Sequence, residues 1–316
     1  MRSDMILILG VTGSGKGRLA FELAKAVGAE IISVDSMKVY RRMDIGTAKP
    51  PVQARKEIQY HLIDVVEPSD SFSVGLFLDM AMAGVEQIKN RGKPVIAVGG
   101  TALYIKALLY GIFDGPGGDE QIRRQLQDRA EAEGLEQLYR QLQSIDPTAA
   151  ENIHPNDAKR LIRALEVFQI TGKPISSLQK QWHPNQTAHD WTVIGLRRQK
   201  ADASGRINSR VKTMMETGLV EEVKSLLAED KPLGKQARCA IGYAEIIEHL
   251  QVGLSLQEVV EQVKKNTRRL AKNQRTWFKT FSGVNWLDIQ PEETTQVTLE
   301  RAEALLANIR DSKPPQ

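Results

Sequence analysis

Residues 10–17 of this chain read GVTGSGKG, and this octapeptide constrains the fold more than any other segment. An apolar run at residues 5–9 precedes it, and a helical pattern at residues 18–27 follows it. A glycine-rich loop between a buried strand and a helix is the setting in which backbone N–H groups bind phosphate. The segment therefore predicts a strand, a phosphate-binding loop and the start of a helix.

The predicted loop gains its positive potential from three sources. Its glycines turn several N–H groups toward one point, the following helix adds its dipole, and Lys16 adds a full charge. The usual pattern G-x-x-x-x-G-K-[ST] ends in a hydroxyl that holds Mg²⁺, but this chain ends it with Gly17. The alternative interpretation of this segment is a glycine-rich turn between strand and helix that binds no ligand. The diphosphate-binding residues that we expect are Gly10, Thr12, Gly13, Ser14, Gly15, Lys16 and Gly17.

Composition narrows the class of protein. The chain has 316 residues, of which 41% are hydrophobic and 26% charged, which is an ordinary globular balance. Its single cysteine excludes an internal disulfide and fits a reducing compartment. No apolar run approaches the roughly 20 residues that cross a bilayer, and residues 5–9 are too short for a signal peptide. We expect a cytoplasmic protein without membrane contact.

Short runs rich in valine and isoleucine alternate with helical patterns and predict buried parallel strands. The runs lie at residues 5–9, 30–34, 61–66, 94–98 and 191–196, with a late edge strand at 285–288. This alternation is typical of a doubly wound α/β sheet, which binds ligands at the carboxyl ends of its strands. We expect the chemistry in three loops at that edge, namely residues 10–17, 35–36 and 99–101.

The strand pattern disappears between residue 114 and about residue 190. A break at 115–119 leads into helical patterns at 119–144 and 158–171, the second capped by Asn156 or Asp157. Two longer helical stretches, at 205–229 and 255–280, follow the return of the strand pattern. We predict a core formed by residues 1–114 and 191–316, with C-terminal helices, and a helical insertion at 115–190.

Five further strings belong with the loop: VDSMKVYRRMDIGTAKP at 34–50, VGGTALYIKALL at 98–109, HPNDAKRLIRALEV at 154–167, AIGYAE at 240–245 and TRRLAKNQRTWFK at 267–279. In order and spacing they resemble the tRNA dimethylallyltransferases from residue 6 to about residue 288. The resemblance implies a P-loop NTPase-like parallel sheet with an inserted helical tRNA-binding domain. It also implies transfer of a dimethylallyl group from its diphosphate to the exocyclic amine of the adenosine 3′-adjacent to the anticodon, with release of diphosphate.

The resemblance gives three residues a catalytic role beside an ordinary structural one. Asp35 follows a strand and resembles a loop cap, but the family match makes it the base that deprotonates the weakly nucleophilic adenine amine. Thr101 resembles the cap of a tight turn, and the match brings it near the target base. Arg210 resembles a surface arginine, and the match makes it a diphosphate contact that stabilises the leaving group together with Lys16.

Other matched residues are expected to contact tRNA. Ser36, Met37 and Lys38, with Asp35 and Thr101, match the stretch at the target nucleotide. Basic helical patches, which are more often solvated faces, match the segments that hold the anticodon stem-loop. Their expected contacts are Arg123, Lys159, Arg160, Arg163, Lys272, Gln274 and Arg275. Because a stacked adenine must turn outward to react, we expect a channel that the base and the diphosphate enter from opposite sides.

The chain departs from the family pattern at a few positions. Gly17 replaces the metal-binding hydroxyl, which leaves the metal ligands open, although Mg²⁺ remains the expected cofactor through the diphosphate and water. Ala244 and Asn273 each replace a basic residue. Two alternatives follow: a small-molecule P-loop kinase, or a tRNA-binding relative impaired by Gly17. We expect a monomer, and we expect Trp277 to pack in the core.

Overall fold

A six-stranded parallel sheet organises the larger part of the computed structural model, which describes residues 5–112, 115–179 and 189–312. The strands are β1 (Met5–Gly10), β2 (Glu30–Val34), β3 (Tyr60–His61), β4 (Val95–Gly99), β5 (Thr192–Arg198) and β6 (Val284–Ile289). Their order is β3-β2-β4-β1-β5-β6, and every pairing is parallel. The predicted α/β class is confirmed.

The described part of the chain divides into two compact units, formed by residues 1–109 with 187–316 and by residues 110–186. The helices in chain order are α1 (Lys16–Val27), α2 (Val52–Glu57), α3 (Val74–Asn90), α4 (Ala102–Tyr110), α5 (Glu120–Glu133), α6 (Leu135–Ile145), α7 (Pro147–Asn152), α8 (Ala158–Thr171), α9 (Ile175–Leu178), α10 (Lys200–Glu216), α11 (Leu219–Leu227), α12 (Lys235–Arg238), α13 (Tyr243–Val252), α14 (Leu256–Phe278) and α15 (Thr295–Ser312). No helix among these residues is long and apolar enough to cross a membrane.

The sheet is buried on both faces, as its continuous apolar runs predict. Ile6 and Ile8 of β1 pack in one cluster with Leu19 and Leu23 of α1. Leu7, which points to the opposite face of the strand, is also fully buried. Burial of each such side chain contributes about 1.5–3 kcal/mol to folding, so β1 is a rigid support for the loop that follows it.

The strand predicted at residues 61–66 is wrong beyond its first residue, because β3 consists only of Tyr60 and His61. Leu62 and Asp64 have φ values of 61° and 57°, in the left-handed region that a strand cannot contain. The Asp64 carboxylate holds this turn through ion pairs with Lys49 Nζ at 2.5 Å and Arg55 Nη1 at 2.6 Å. Tertiary charge pairing therefore overrides the local apolar pattern.

Two predicted long helices are each interrupted at a glycine. The pattern at 119–144 forms α5 and α6, which are separated at Gly134, and the pattern at 205–229 forms α10 and α11, which are separated at Gly218. The prediction for residues 158–171 is confirmed, since α8 spans these residues and the Asp157 carboxylate accepts the Arg160 N–H at 3.2 Å. Periodicity located these helices but did not locate the interruptions.

The second unit has its own apolar core and one buried carboxylate beside it. The core includes Leu126, Leu138 and Leu165. Glu166 on α8 is fully buried, and its carboxylate accepts hydrogen bonds from Arg123 at 2.9 Å, from Arg163 at 2.7 Å and from the Asp119 N–H at 2.7 Å. This carboxylate ties the start of α5 to α8.

We expect the substitution Glu166→Gln to destabilise the second unit by about 1–3 kcal/mol, because two charge-assisted hydrogen bonds become weaker. Hydrogen exchange of α5 and α8 amides measures the change. The control is Glu136→Gln, since Glu136 pairs with Arg140 at 2.5 Å on the surface and surface pairs contribute little. Equal exchange rates in the two variants would contradict the central role of Glu166.

Candidate active site

Three loops meet at one edge of the sheet because they follow three adjacent strands. The phosphate-binding loop follows β1, Gly100 and Thr101 follow β4, and Asp35 follows β2. These strands are neighbours in the order β2-β4-β1, and parallel strands place their carboxyl ends at the same edge. The structure therefore brings together the three loops on which sequence analysis placed the chemistry.

The phosphate-binding loop has the backbone of an anion site. Gly13 and Gly15 have φ values of 86° and 93°, which side chains rarely allow, and Gly15 is the N-cap of α1. Two arginines bind carbonyl groups of the loop: Arg206 Nε donates to the Gly13 carbonyl at 2.9 Å, and Arg198 Nε donates to the Ser14 carbonyl at 3.0 Å. Because these carbonyls turn toward the arginines, the loop is free to direct N–H groups to the ligand side.

Two cavities adjoin at this edge. The first has a volume of about 660 Å³ and is lined by the loop, by α1 and by residues 47–54. The second has a volume of about 480 Å³ and is lined by Ser36, Met37, Thr101 and α14 residues that include Trp277. The residues common to both walls are Thr12, Lys16, Asp35, Thr47, Ala48 and Arg210.

The shared wall and the first cavity are strongly positive. Burial, with smaller effects from the neighbouring charges of Lys38 and Arg210, lowers the pKa of Lys16 to about 7, against the opposing effect of Asp35. Burial also lowers the pKa of Lys38, and burial with Arg206 lowers that of Arg210. Within the described residues, none of these cations forms an ion pair with a carboxylate. This crowding of positive charge is relieved when an anion binds.

Asp35 combines the two roles that sequence analysis considered. Its Oδ1 atom accepts the N–H groups of Met37 at 2.9 Å and Lys38 at 3.2 Å, so it caps the following turn. Its Oδ2 atom has no hydrogen-bond partner among the described residues, and the side chain lines both cavities. One carboxylate oxygen therefore holds the turn, and the other is available to accept a proton.

Residues 36–38, which were predicted to contact tRNA, line different cavities. Ser36 and Met37 line the second cavity, whereas Lys38 lines the first. Lys38 therefore belongs with the cations around the phosphate-binding loop. Thr101 Oγ1 accepts the Ser36 N–H at 3.1 Å, so this threonine binds the loop after β2 in addition to standing at the end of its own strand.

The segment at residues 44–48, of which Thr47 and Ala48 line both cavities, is held by two residues that sequence analysis missed. The Glu222 carboxylate accepts the N–H groups of Asp44 at 3.0 Å and Ile45 at 2.8 Å. Tyr243 donates to the same carboxylate at 2.6 Å, and its ring lies 2.4 Å from where a Cβ on Gly46 would stand. The segment fits against Tyr243 only because residue 46 is glycine.

Helix α14 carries residues that were predicted to contact tRNA, and these residues differ in their exposure. Lys272 is exposed and Arg275 half-buried, and neither forms an ion pair within the described part of the chain. Gln274 is buried and hydrogen-bonded at both ends of its amide. The prediction that Trp277 packs in the core is wrong, because this ring is half-buried in the wall of the second cavity, with Lys106 Nζ 6.0 Å from its centroid.

The four basic residues predicted to contact tRNA in the second unit differ in their surroundings. Lys159 and Arg160 are exposed, and Arg160 pairs with Asp157 at 3.4 Å. The guanidinium groups of Arg123 and Arg163 bind Glu166, with side-chain exposures of 43% and 28%. The last two therefore already have a structural function within their unit.

Arg198 and Arg206 are the main site residues that sequence analysis missed. Arg198 ends β5, the strand beside β1, and Arg206 lies four residues before Arg210 on α10. Both signals were present in the sequence: a basic residue directly after an apolar strand, and helical spacing from an arginine already identified. The sequence did not indicate that these side chains bind carbonyl groups of the phosphate-binding loop.

The chain is similar to known proteins over nearly its whole length. A family model described as IPP transferase matches residues 38–281. The tRNA dimethylallyltransferase of Geobacter metallireducens is 44% identical over 287 residues, with 91% of this chain and 93% of that protein covered. That of Acetivibrio thermocellus is 40% identical over 305 residues, with 96% and 97% covered.

Solved structures of transferases acting on tRNA are also similar to this chain over nearly its whole length. The crystal structure of the full-length tRNA isopentenylpyrophosphate transferase from Bacillus halodurans aligns with a TM-score of 0.71 at 35% identity, with 97% of this chain and 96% of that chain covered. A eukaryotic dimethylallyltransferase acting on tRNA aligns with a TM-score of 0.82 at 29% identity, with 99% and 80% covered.

We expect inorganic pyrophosphate to bind with uptake of a proton by Lys16 at about pH 8. The pKa of Lys16 is about 7 in the free protein, so the amine is mostly neutral at that pH, and the bound anion raises the pKa again. Calorimetry in buffers of different ionisation enthalpy measures the uptake. Lys16→Met is the control for protons taken up by pyrophosphate itself, and equal uptake in both proteins would contradict the assignment.

Proposed function

We propose that this chain, which belongs to the IPP transferase family, transfers a dimethylallyl group from dimethylallyl diphosphate to tRNA. The acceptor is the exocyclic amine of the adenosine 3′-adjacent to the anticodon, and diphosphate is released. The observation that carries the proposal is the shared wall of the two cavities. A diphosphate cradle with Lys16 and Arg210 lies on this wall beside a carboxylate with one free oxygen.

The residues on the shared wall account for each step of the proposed reaction. The amine nitrogen attacks the allylic carbon, the carbon–oxygen bond to diphosphate breaks, and the nitrogen gives up one proton. Asp35 Oδ2 accepts this proton, which keeps the lone pair available as the new bond forms. The loop N–H groups, Lys16 and Arg210 stabilise the charge that grows on the departing diphosphate. Lys38 and Arg206 add to this stabilisation from the first cavity.

The second cavity is the entrance that we propose for the target base. Its walls carry Met37, Leu270 and Trp277, which suit an unstacked purine. The exposed charges of Lys159, Arg160 and Lys272, the half-buried Arg275 and the outer edges of Arg123 and Arg163 are the proposed contacts to the anticodon stem-loop phosphates. A cytoplasmic location and a monomeric state complete the proposal, as expected from the sequence.

The residues present do not form a protein-held Mg²⁺ site. Gly17 has no ligand atom, Ser14 is buried with its hydroxyl near Gly10, and no group of three or more His, Cys, Asp or Glu side chains among the described residues could hold a metal. We propose that Mg²⁺ accompanies the diphosphate as its water-bound counterion. The cations of this chain then make the direct protein contacts to the leaving group.

The two alternatives considered in sequence analysis are not favoured. The relatives over most of the chain are transferases acting on tRNA by their names. Impairment of a tRNA-binding relative would rest on Gly17 alone, because Lys16, Asp35, Thr101 and Arg210 are all present. A kinase would consume ATP without RNA, whereas the proposed enzyme requires both tRNA and dimethylallyl diphosphate.

We expect the purified protein to transfer label from dimethylallyl diphosphate to unmodified tRNA with adenosine at the target position, in the presence of Mg²⁺. Asp35→Asn should reduce the rate roughly 10²–10⁴-fold, because the amide keeps the turn-capping oxygen but accepts no proton. Unchanged pyrophosphate affinity in the variant shows that the site is intact. Absence of label with wild-type protein, or a normal rate with Asp35→Asn, would overturn the assignment.

Gly17→Ser tests the proposed metal dependence. A Cβ at residue 17 meets no atom within 4 Å, so the hydroxyl enters open space at the edge of the first cavity. We expect roughly a tenfold lower Mg²⁺ concentration at half-maximal rate, because the protein then supplies one ligand directly. Gly17→Ala is the matched control for the change in helix stability. A serine variant that behaves like the alanine variant would refute this explanation.

A further inference from the structure

Two side chains join the three catalytic loops to one another. Thr101 binds the loop after β4 to the loop after β2, since its Oγ1 accepts the Ser36 N–H at 3.1 Å. Gln274 binds the loop after β4 to the loop after β1, since its Nε2 donates to the Gly100 carbonyl at 2.9 Å and its Oε1 accepts the Thr12 N–H at 2.8 Å. The spacing of the diphosphate cradle and Asp35 therefore depends on two hydrogen-bonded connections.

The surroundings of Gln274 engage both ends of its amide within the protein, although the residue also lines the second cavity. The residue is 8% exposed, and its Oε1 atom and one of its two amide N–H groups are used in these bonds. Gly100 leaves the space that the Gln274 amide occupies, because a Cβ at residue 100 would lie 2.6 Å from Gln274 Nε2 and 3.4 Å from Lys16 Nζ. A small residue at position 100 and an amide at position 274 therefore form one fitted contact.

We propose that Gln274 is a positioning residue that sets the distance between the diphosphate cradle and Asp35, and that it does not contact RNA. This inference rests on the proposed function and differs from the tRNA contact that the family resemblance implied. Thr12 and Lys16, on the cradle side, and Asp35, on the base side, all line the wall between the two cavities. Without the amide, the loops after β1 and β4 lose the bridge that Gln274 forms between the Thr12 N–H and the Gly100 carbonyl.

The expected consequence is a loss of alignment rather than a loss of RNA affinity. A displacement of about 1 Å between reacting groups can reduce a rate roughly a hundredfold. The Thr12 N–H is also left without its partner, which loosens the diphosphate cradle. The kinetic signature is a lower kcat and a higher KM for dimethylallyl diphosphate, with an unchanged KM for tRNA.

The experiment compares Gln274→Leu with Gly100→Ala, which break the same contact from its two sides. Gly100 has no positive φ, so its backbone accepts alanine. We expect both variants to bind inorganic pyrophosphate about tenfold more weakly in the absence of RNA, to lower kcat about tenfold or more, and to bind tRNA within about twofold of wild type. Lys272→Ala, on the exposed face of α14, should give the opposite pattern.

Each outcome decides the proposal. A Gln274→Leu protein with weaker tRNA binding and unchanged pyrophosphate affinity would make Gln274 an RNA contact and overturn the inference. Disagreement between the two variants in pyrophosphate affinity would also overturn it. If Gln274→Leu fails to fold, Gly100→Ala tests the same contact, because its Cβ displaces the Gln274 amide without adding a charge. Pyrophosphate binding needs no transfer activity, so its result is separate from a failure of the proposed function.

Discussion

The charge balance around Lys16 is the constraint on which the rest of the site depends. Lys16, Lys38, Arg206 and Arg210 are among the cations that line the first cavity, and the Asp35 carboxylate lines the same cavity. Such crowding is unfavourable in the free protein, as the lowered pKa of Lys16 reflects. A diphosphate removes this repulsion on binding. The same cations that destabilise the free site therefore stabilise the leaving group as the bond breaks.

The backbone of the site is held by side-chain hydrogen bonds. Arg198 and Arg206 bind loop carbonyls, Glu222 and Tyr243 hold residues 44–48, and the Asp35 carboxylate caps its own turn. All of these contacts are made within the protein. They fix the reacting residues before substrate arrives, which reduces the reorganisation needed during the reaction.

Gly17 separates this chain from an ordinary P-loop enzyme. A nucleoside-triphosphate hydrolase needs its hydroxyl to hold the metal that bridges two phosphates, because the charge develops on a transferred phosphoryl group. In the proposed prenyl transfer the phosphates are only the leaving group, so fixed cations can stabilise them. The loop is therefore compatible with glycine at a position where a kinase would lose its metal ligand.

The sequence by itself determined the parallel sheet, the phosphate-binding loop and the identity of Lys16, Asp35, Thr101 and Arg210 as residues to examine. These features depend on local patterns: apolar runs, a glycine spacing and strings that resemble a family. The sequence also located α8 and its cap at Asp157, since caps act within one helical turn.

Only the tertiary structure decided which side chains reach the site from distant segments. Gln274 contacts a loop 262 residues away in the sequence, and Trp277 lies in a cavity wall rather than the core. The strand prediction after His61 failed because ion pairs from Lys49 and Arg55 hold a turn there. Such contacts depend on the packing of separate elements, and no local pattern in the chain records that packing.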